Sequence, residues 1–154
     1  MNSVSKMHWV NVLVPVADRW NNGPATDIVE AAGEGVLFLI QCGAGAGATL
    51  ITAEACDDTT PTTNTDIPFI YRSMTTAPDT WGDWTVGVSG TGFNTSTTEN
   101  LAYQVWCDAA DIGALGFGYV RLQTTESTDV SLVAGIMAAV TNTRYAIQPS
   151  SLVD

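Results

Sequence analysis

The chain has 154 residues, of which 45% are hydrophobic, and its 16 acidic against 5 basic side chains give a net charge of −11. A chain of this length suits a single domain with a core of its own. The scarcity of Lys and Arg argues against binding to nucleic acid or to an anionic membrane surface. No apolar run approaches the ~18 residues that a membrane-spanning helix needs.

Short apolar stretches separated by turn-forming residues predict a chain built of β-strands, since β-branched side chains pack well on a pleated sheet. The first strand is predicted at residues 8–16, and it is followed by a polar turn at residues 19–24. A short second strand is predicted at residues 27–32. Residues 36–41 are continuously apolar, which predicts a strand that is central in its sheet or buried on both faces.

The middle of the chain alternates strands with polar segments. Residues 43–47, rich in Gly and Ala, predict a flexible connector, and residues 48–56 predict a strand whose alternate side chains face opposite sides. The next predicted elements are a polar loop, two strands and a second loop, at residues 57–66, 67–73, 80–88 and 89–100.

The last third begins with the clearest alternation, at residues 101–108, where Trp106 faces away from the apolar side of the strand. Asp108 is the predicted N-cap of one helical turn that Gly116 closes, and a strand follows at residues 119–125. Residues 130–141 are apolar on both faces, which fits a helix or a strand. The branched side chains interspersed with Ser and Thr favour the strand.

Together these elements predict an all-β fold: an antiparallel, jelly-roll-like β-sandwich of about eight strands with at most one short helix. Residues 1–24 are predicted to be an N-terminal arm that includes the first strand, and residues 25–154 a single sandwich domain. We expect that removal of residues 1–24 leaves this domain folded, because the turn chemistry at residues 21–24 separates the arm from the rest.

The chemistry-bearing residues do not form a catalytic pattern. His8 is the only histidine, and it lies at the start of an apolar strand, where a structural role is expected. Three pairs of acids could serve as acid/base partners or as calcium ligands, but a solvated surface is the expected role in so acidic a chain: Asp57/Asp58, Asp79/Asp83 and Asp108/Asp111. We therefore predict no catalytic residue, no metal ligand and no cofactor, and a protein that is not an enzyme.

The three cysteines, Cys42, Cys56 and Cys107, are odd in number and widely spaced, so they cannot form a complete disulfide framework. Free, buried thiols in a reducing compartment are the expected state, since residues 1–7 also lack the pattern of a secretory signal. One bridge between Cys42 and Cys107 remains an open alternative.

Five tryptophans, at positions 9, 20, 81, 84 and 106, are many for this length. Trp81 and Trp84 are three residues apart, so in a straight strand they would face opposite sides. Met7, Trp9 and Trp20 of the N-terminal arm are the candidate partner-contact residues, because exposed aromatic and Met side chains anchor protein contacts. The same apolar residues could instead form an edge strand of the chain's own sheet, and the sequence favours neither alternative.

Several short sequence motifs, taken in chain order, resemble those of a group of small tailed-bacteriophage proteins that are commonly taken to be head decoration (cement) proteins. The resemblance covers most of the chain from about residue 25. The motifs are TAEACDDTTP at residues 52–61, IPFIYR at 67–72, DTWG at 79–82, YVRL at 119–122, RYA at 144–146 and SSLVD at 150–154.

This resemblance implies a structural virion protein that stabilises a capsid by bridging copies of the major capsid protein. It implies a location on the outer surface of the virion, after synthesis in the cytoplasm of the bacterial host, and association of the chain with itself as a dimer or trimer. It implies no catalytic residue. The alternative function is that of a carbohydrate-binding β-sandwich module displayed on a virion or cell surface.

Overall fold

The computed structural model describes residues 7–76 and 79–141, which form twelve strands and one helix. The elements are β1 Met7–Val16, β2 Val29–Glu30, β3 Gly35–Gly45, β4 Ala48–Cys56, β5 Asn64–Ile67, β6 Phe69–Thr76, β7 Thr80–Trp81, β8 Thr85–Gly87, β9 Phe93–Asn94, β10 Ala102–Asp108, α1 Ala109–Ala114, β11 Tyr119–Thr128 and β12 Leu132–Thr141.

Eight of these strands form two four-stranded antiparallel layers, in the orders β1-β12-β3-β10 and β2-β11-β4-β5. The chain passes between the layers in the pattern of a jelly roll, in which two Greek keys face each other across one core. Strand β6 extends the first layer beyond β10, with β7 and β8 paired to β6, and β9 pairs with β4 of the second layer. The predicted all-β sandwich and its jelly-roll character are confirmed.

The core lies between the two sheets and is built by alternation. In β4 the inward side chains are those of Thr49, Ile51, Ala53 and Ala55, and all four are buried while the residues between them are only half-buried. The same period of two holds in the other long strands, because successive side chains of a strand face opposite sides. The largest fully buried side chains include Trp20, Phe38, Ile40, Ile51, Leu122 and Ile136.

Strand β12 and helix α1 have the predicted character. Five alternate residues of β12, from Leu132 to Val140, join the core. The outward face of β12 is also apolar. There Pro15 of β1 packs directly on the backbone of Gly135, where a Cβ would come within 2.7 Å of the Pro15 ring. The Asp108 carboxylate accepts a hydrogen bond from the Ala110 N–H at 2.8 Å, which caps α1 as predicted.

The predicted strand boundaries differ from the observed ones where a segment of polar, loop-like composition pairs with a neighbouring strand. Strand β5 lies at the end of the predicted loop 57–66, and its exposed Asn, Thr and Asp residues pair with the edge of β4. Strand β9 lies within the predicted loop 89–100, and the strand predicted at 80–88 is divided into β7 and β8. These short strands are stabilised by hydrogen bonds to a long neighbour, which composition does not reveal.

The segment from residue 7 to residue 24 is part of the sandwich. β1 is the edge strand of the larger sheet and pairs with β12, so the edge-strand alternative holds. Trp20 is only 1% exposed and Val12 only 2%, and both belong to the same core. Deletion of residues 1–24 would remove these core side chains, so the structure gives reason to expect that the deletion destabilises the domain.

Substitution of Trp20 tests this role. Trp20→Ala should lower the free energy of unfolding by about 3–5 kcal/mol, because it leaves a large cavity in the core. Val14→Ala, at an exposed position of the same segment, should change it by no more than about 0.5 kcal/mol. Urea denaturation followed by circular dichroism measures both, and equal effects of the two substitutions would contradict the assignment.

All three cysteines are free and buried, so the alternative of a Cys42–Cys107 bridge is excluded. Burial raises the pKa of Cys42 to about 12 and that of Cys56 to about 11, and it also raises the pKa of Cys107. The thiols are therefore protonated near neutral pH, and a protonated, buried thiol is a poor nucleophile.

Thiol labelling tests this state. In the folded protein near neutral pH, iodoacetamide should label none of Cys42, Cys56 and Cys107, whereas in denaturant it should label all three. Mass spectrometry of the intact chain counts the adducts. Rapid labelling of any cysteine in the folded protein would contradict the assignment.

Candidate interaction surface

An apolar row crosses the outward face of the larger sheet. The strand register aligns one residue from each of six neighbouring strands, from β1 at one edge to β8 at the other. This outer row consists of Trp9, Ala139, Leu37, Trp106, Ile70 and Val86.

The exposure of the outer row changes along its length. Ala139 is fully buried although it points away from the core, and Trp106 is half-buried with its indole ring against Gly35. Toward the edges the row is open, with Trp9 38% and Val86 66% exposed. The outward face of an antiparallel sheet is usually polar, so a continuous apolar row there indicates a contact surface.

The neighbouring row continues the apolar surface and adds one charge. It runs Asn11, Met137, Leu39, Gln104, Arg72 across β1, β12, β3, β10 and β6. Arg72 is the only charged residue in the two rows. Its Nε donates a hydrogen bond to the Gln104 side-chain oxygen at 2.7 Å.

Two indole rings pack on this arginine. The Arg72 guanidinium lies 5.1 Å from the centre of the Trp81 ring and 4.7 Å from that of Trp84, within the range of cation–π attraction. The prediction that Trp81 and Trp84 face opposite sides assumed one straight strand. The chain instead leaves the strand conformation between β7 and β8, so both rings reach Arg72.

The three predicted contact residues lie in different parts of the structure. Trp9 lies in the outer row, at the edge of the surface. Trp20 is buried in the core and is wrong as a contact residue, because a turn after β1 places its ring between the sheets. Met7 pairs through its backbone with Thr141, and its side chain lies outside the described part of the structure.

Most of this surface was not identified from the sequence. The alternation in residues 101–108 did place Trp106 away from the apolar side of its strand. Ile70 and Val86 carried no such signal, because their exposure depends on which strands lie beside them. Only the register of six strands shows that these residues form one row.

In the first of the acidic pairs, Asp57 holds its own loop together. The Asp57 carboxylate accepts hydrogen bonds from the Thr62 hydroxyl and from the Thr63 and Asp58 N–H groups. Burial raises the pKa of Asp57, but these hydrogen bonds outweigh it and hold the pKa below its usual value. Within residues 7–76 and 79–141, no three His, Cys, Asp or Glu residues are grouped to hold a metal ion. No helix in this part of the chain is long and apolar enough to span a membrane.

Comparison with known proteins yields one structural similarity. No family model matches the chain, and no curated protein matches it in sequence. The chain is similar to the crystal structure of the SPBc2 prophage-derived protein YomS, with 14% sequence identity and a TM-score of 0.46. The similarity covers 86% of this chain and 92% of the other.

Substitution of Arg72 tests the cluster of rings around it. Arg72→Met keeps an unbranched side chain but removes the charge and the bond to Gln104, so it should lower the free energy of unfolding by roughly 1–2 kcal/mol. It should also change the tryptophan emission spectrum. Urea denaturation and fluorescence measure the two effects.

Arg121→Met is the matched control. Arg121 lies on the smaller sheet and forms an ion pair with Glu54 at 2.8 Å. Its loss should cost no more than about 1 kcal/mol and should leave the emission spectrum unchanged. An Arg72 variant with wild-type stability and emission would contradict the cation–π assignment.

Proposed function

We propose that this chain is a structural protein of a bacteriophage particle, which decorates the head and stabilises it by bridging copies of the major capsid protein. The observation that carries the proposal is the outer row, a rigid apolar surface across six strands. The ordered resemblance to head decoration proteins supports the phage setting.

The dimensions of this surface suit a durable protein contact. Six strands at the spacing of a β-sheet span about 24 Å, and the neighbouring row adds width through Met137 and Leu39. A stable interface buries at least about 1,000 Å² in total. Because the sheet is already folded, little conformational entropy is lost when a partner covers it.

The distribution of charge supports the same role. The chain carries a net charge of −11, yet Arg72 is the only charged residue of the two rows. A large net charge keeps the free protein soluble and limits non-specific association. The charge-poor face is therefore the part of the described surface best suited to desolvation by a partner.

The chemistry of the described residues favours binding over catalysis. The thiols are buried and protonated, and Asp57 and Asp108 use their carboxylates to hold a loop and cap a helix. Neither arrangement supplies an activated nucleophile or a poised base. We therefore propose that the protein is not an enzyme and acts on the outer surface of the capsid, as a dimer or trimer, after synthesis in the host cytoplasm.

A carbohydrate-binding module built on exposed tryptophan platforms has less support. Such a module needs open ring faces, whereas the guanidinium of Arg72 covers one face of both Trp81 and Trp84. All six residues of the outer row are apolar, which favours a protein partner.

A sedimentation assay tests the proposed contact. Phage heads purified without this chain should retain the added wild-type protein on centrifugation and withstand higher temperature once it is bound. Val86→Ser should weaken this binding at least about tenfold, because it places a hydroxyl in a desolvated contact. Retention is measured as a function of protein concentration.

Leu115→Ser is the matched control, because Leu115 is 47% exposed but lies in the turn after α1, outside both rows. It should bind heads like the wild-type protein. Failure of the wild-type chain to bind heads would reject the decoration role. Equal binding by the Val86 variant would reject the outer row as the contact.

A further inference from the structure

Arg72 is half-buried on the outward face of the larger sheet, and no acidic side chain of the described residues pairs with it. Arg121 on the smaller sheet is also half-buried, but its guanidinium lies 2.8 Å from the Glu54 carboxylate. The chain carries 16 acidic side chains, and two of them, Asp79 and Asp83, are close to Arg72 in sequence. Because neither forms an ion pair with it, Arg72 keeps its charge unneutralised in a strongly acidic protein.

The polar atoms of Arg72 are only partly used. Its Nε donates to the Gln104 side-chain oxygen at 2.7 Å, whereas the terminal nitrogens, Nη1 and Nη2, donate to no residue in the described ranges. Both keep access to solvent, in contrast to the Nε of Arg19, which is buried without a partner. The planar fork of a guanidinium matches the two oxygens of a carboxylate, so such a group can bind these nitrogens from outside.

Neighbouring side chains hold the guanidinium in place before any partner arrives. The ring centres of Trp81 and Trp84 lie 5.1 and 4.7 Å from it, and the bond to Gln104 orients Nε. Little side-chain entropy is therefore left to lose on binding. Arg and Trp are also enriched among the side chains that dominate the energy of protein interfaces.

The position of Arg72 constrains what can cover the outer row. Arg72 follows Ile70 by two residues on the same face of β6, so it lies about 7 Å from that row. A partner that covers both rows removes water from Arg72. A charge that is desolvated without an ionic partner is strongly unfavourable, so the partner must itself supply an acceptor for the guanidinium.

We propose that Arg72 is the anchor for an acidic side chain of the capsid partner, an Asp or Glu on the surface that the outer row contacts. This inference rests on the proposed function and adds the chemistry of the partner, which places apolar side chains opposite the outer row and one carboxylate opposite Arg72. The carboxylate accepts hydrogen bonds from Nη1 and Nη2, and such charge-assisted bonds are about twice as strong as neutral ones.

Binding of position-72 variants to heads tests the anchor. In the sedimentation assay, Arg72→Lys should weaken binding about three- to tenfold, since lysine keeps the charge but has no planar pair of donors. Arg72→Met should weaken it at least about thirtyfold, because the charge and the donors are both lost. Arg121→Met removes the same kind of side chain from the smaller sheet and should bind like the wild-type protein. Circular dichroism verifies that each variant is folded.

Heads with chemically neutralised carboxylates provide the second measurement. A carbodiimide and glycinamide convert surface carboxylates of the heads into amides. Amidation should weaken the binding of the wild-type protein at least about tenfold. It should affect the Arg72→Met variant much less, because that variant has no guanidinium to pair with a carboxylate. A merely structural role of Arg72 predicts the same factor for both proteins.

The possible failures are distinguishable. If the wild-type protein does not bind heads, the decoration role and this inference are both rejected. If both Arg72 variants bind like the wild-type protein while Val86→Ser is impaired, the anchor is rejected and the outer row remains the contact. An equal effect of amidation on the wild-type protein and on Arg72→Met also rejects the anchor, since no carboxylate of the heads then acts through Arg72.

Discussion

The register of β12 between β1 and β3 determines both faces of the larger sheet. On the inward face it places Ile136 beside Leu13 and Ile40, and on the outward face it places Ala139 between Trp9 and Leu37. A slip of one residue would exchange the two sets, because strand side chains alternate. The core and the apolar outer row therefore depend on the same ladder of hydrogen bonds.

Two parts of the surface have opposite physical chemistry. The outer row has no charged residue, so the proposed partner would be held there by the burial of apolar area. The surface between residues 21–23 and the second half of β11 is polar and open to solvent.

Local pattern predicted the long elements well. Residues 48–56 form the predicted strand with the predicted inward side chains, and Asp108 caps the predicted helical turn. It failed for the turn after β1, where Asn and Gly residues suggested an exposed Trp20. The ring is buried because the chain from residue 19 to residue 26 is hydrogen-bonded to β12 and β11, which come from the far end of the chain: the Arg19 N–H donates to the Leu132 carbonyl and the Thr26 N–H to the Leu122 carbonyl. Of the outer row, only Trp9 was among the contact residues predicted from the sequence, because the other members are brought together by the order of the strands.

Reasoning from the sequence alone located the long strands, predicted that they form antiparallel layers of one sandwich, and showed that the protein is strongly acidic. These properties depend on composition and on a period of two residues, which are local. The tertiary structure alone decided that Trp9, Trp106 and Val86 share one row, and that the turn near Asn22 faces β11 across a cleft. Both arrangements bring together segments that are distant in the chain, and their positions depend on the sum of the pairings between strands.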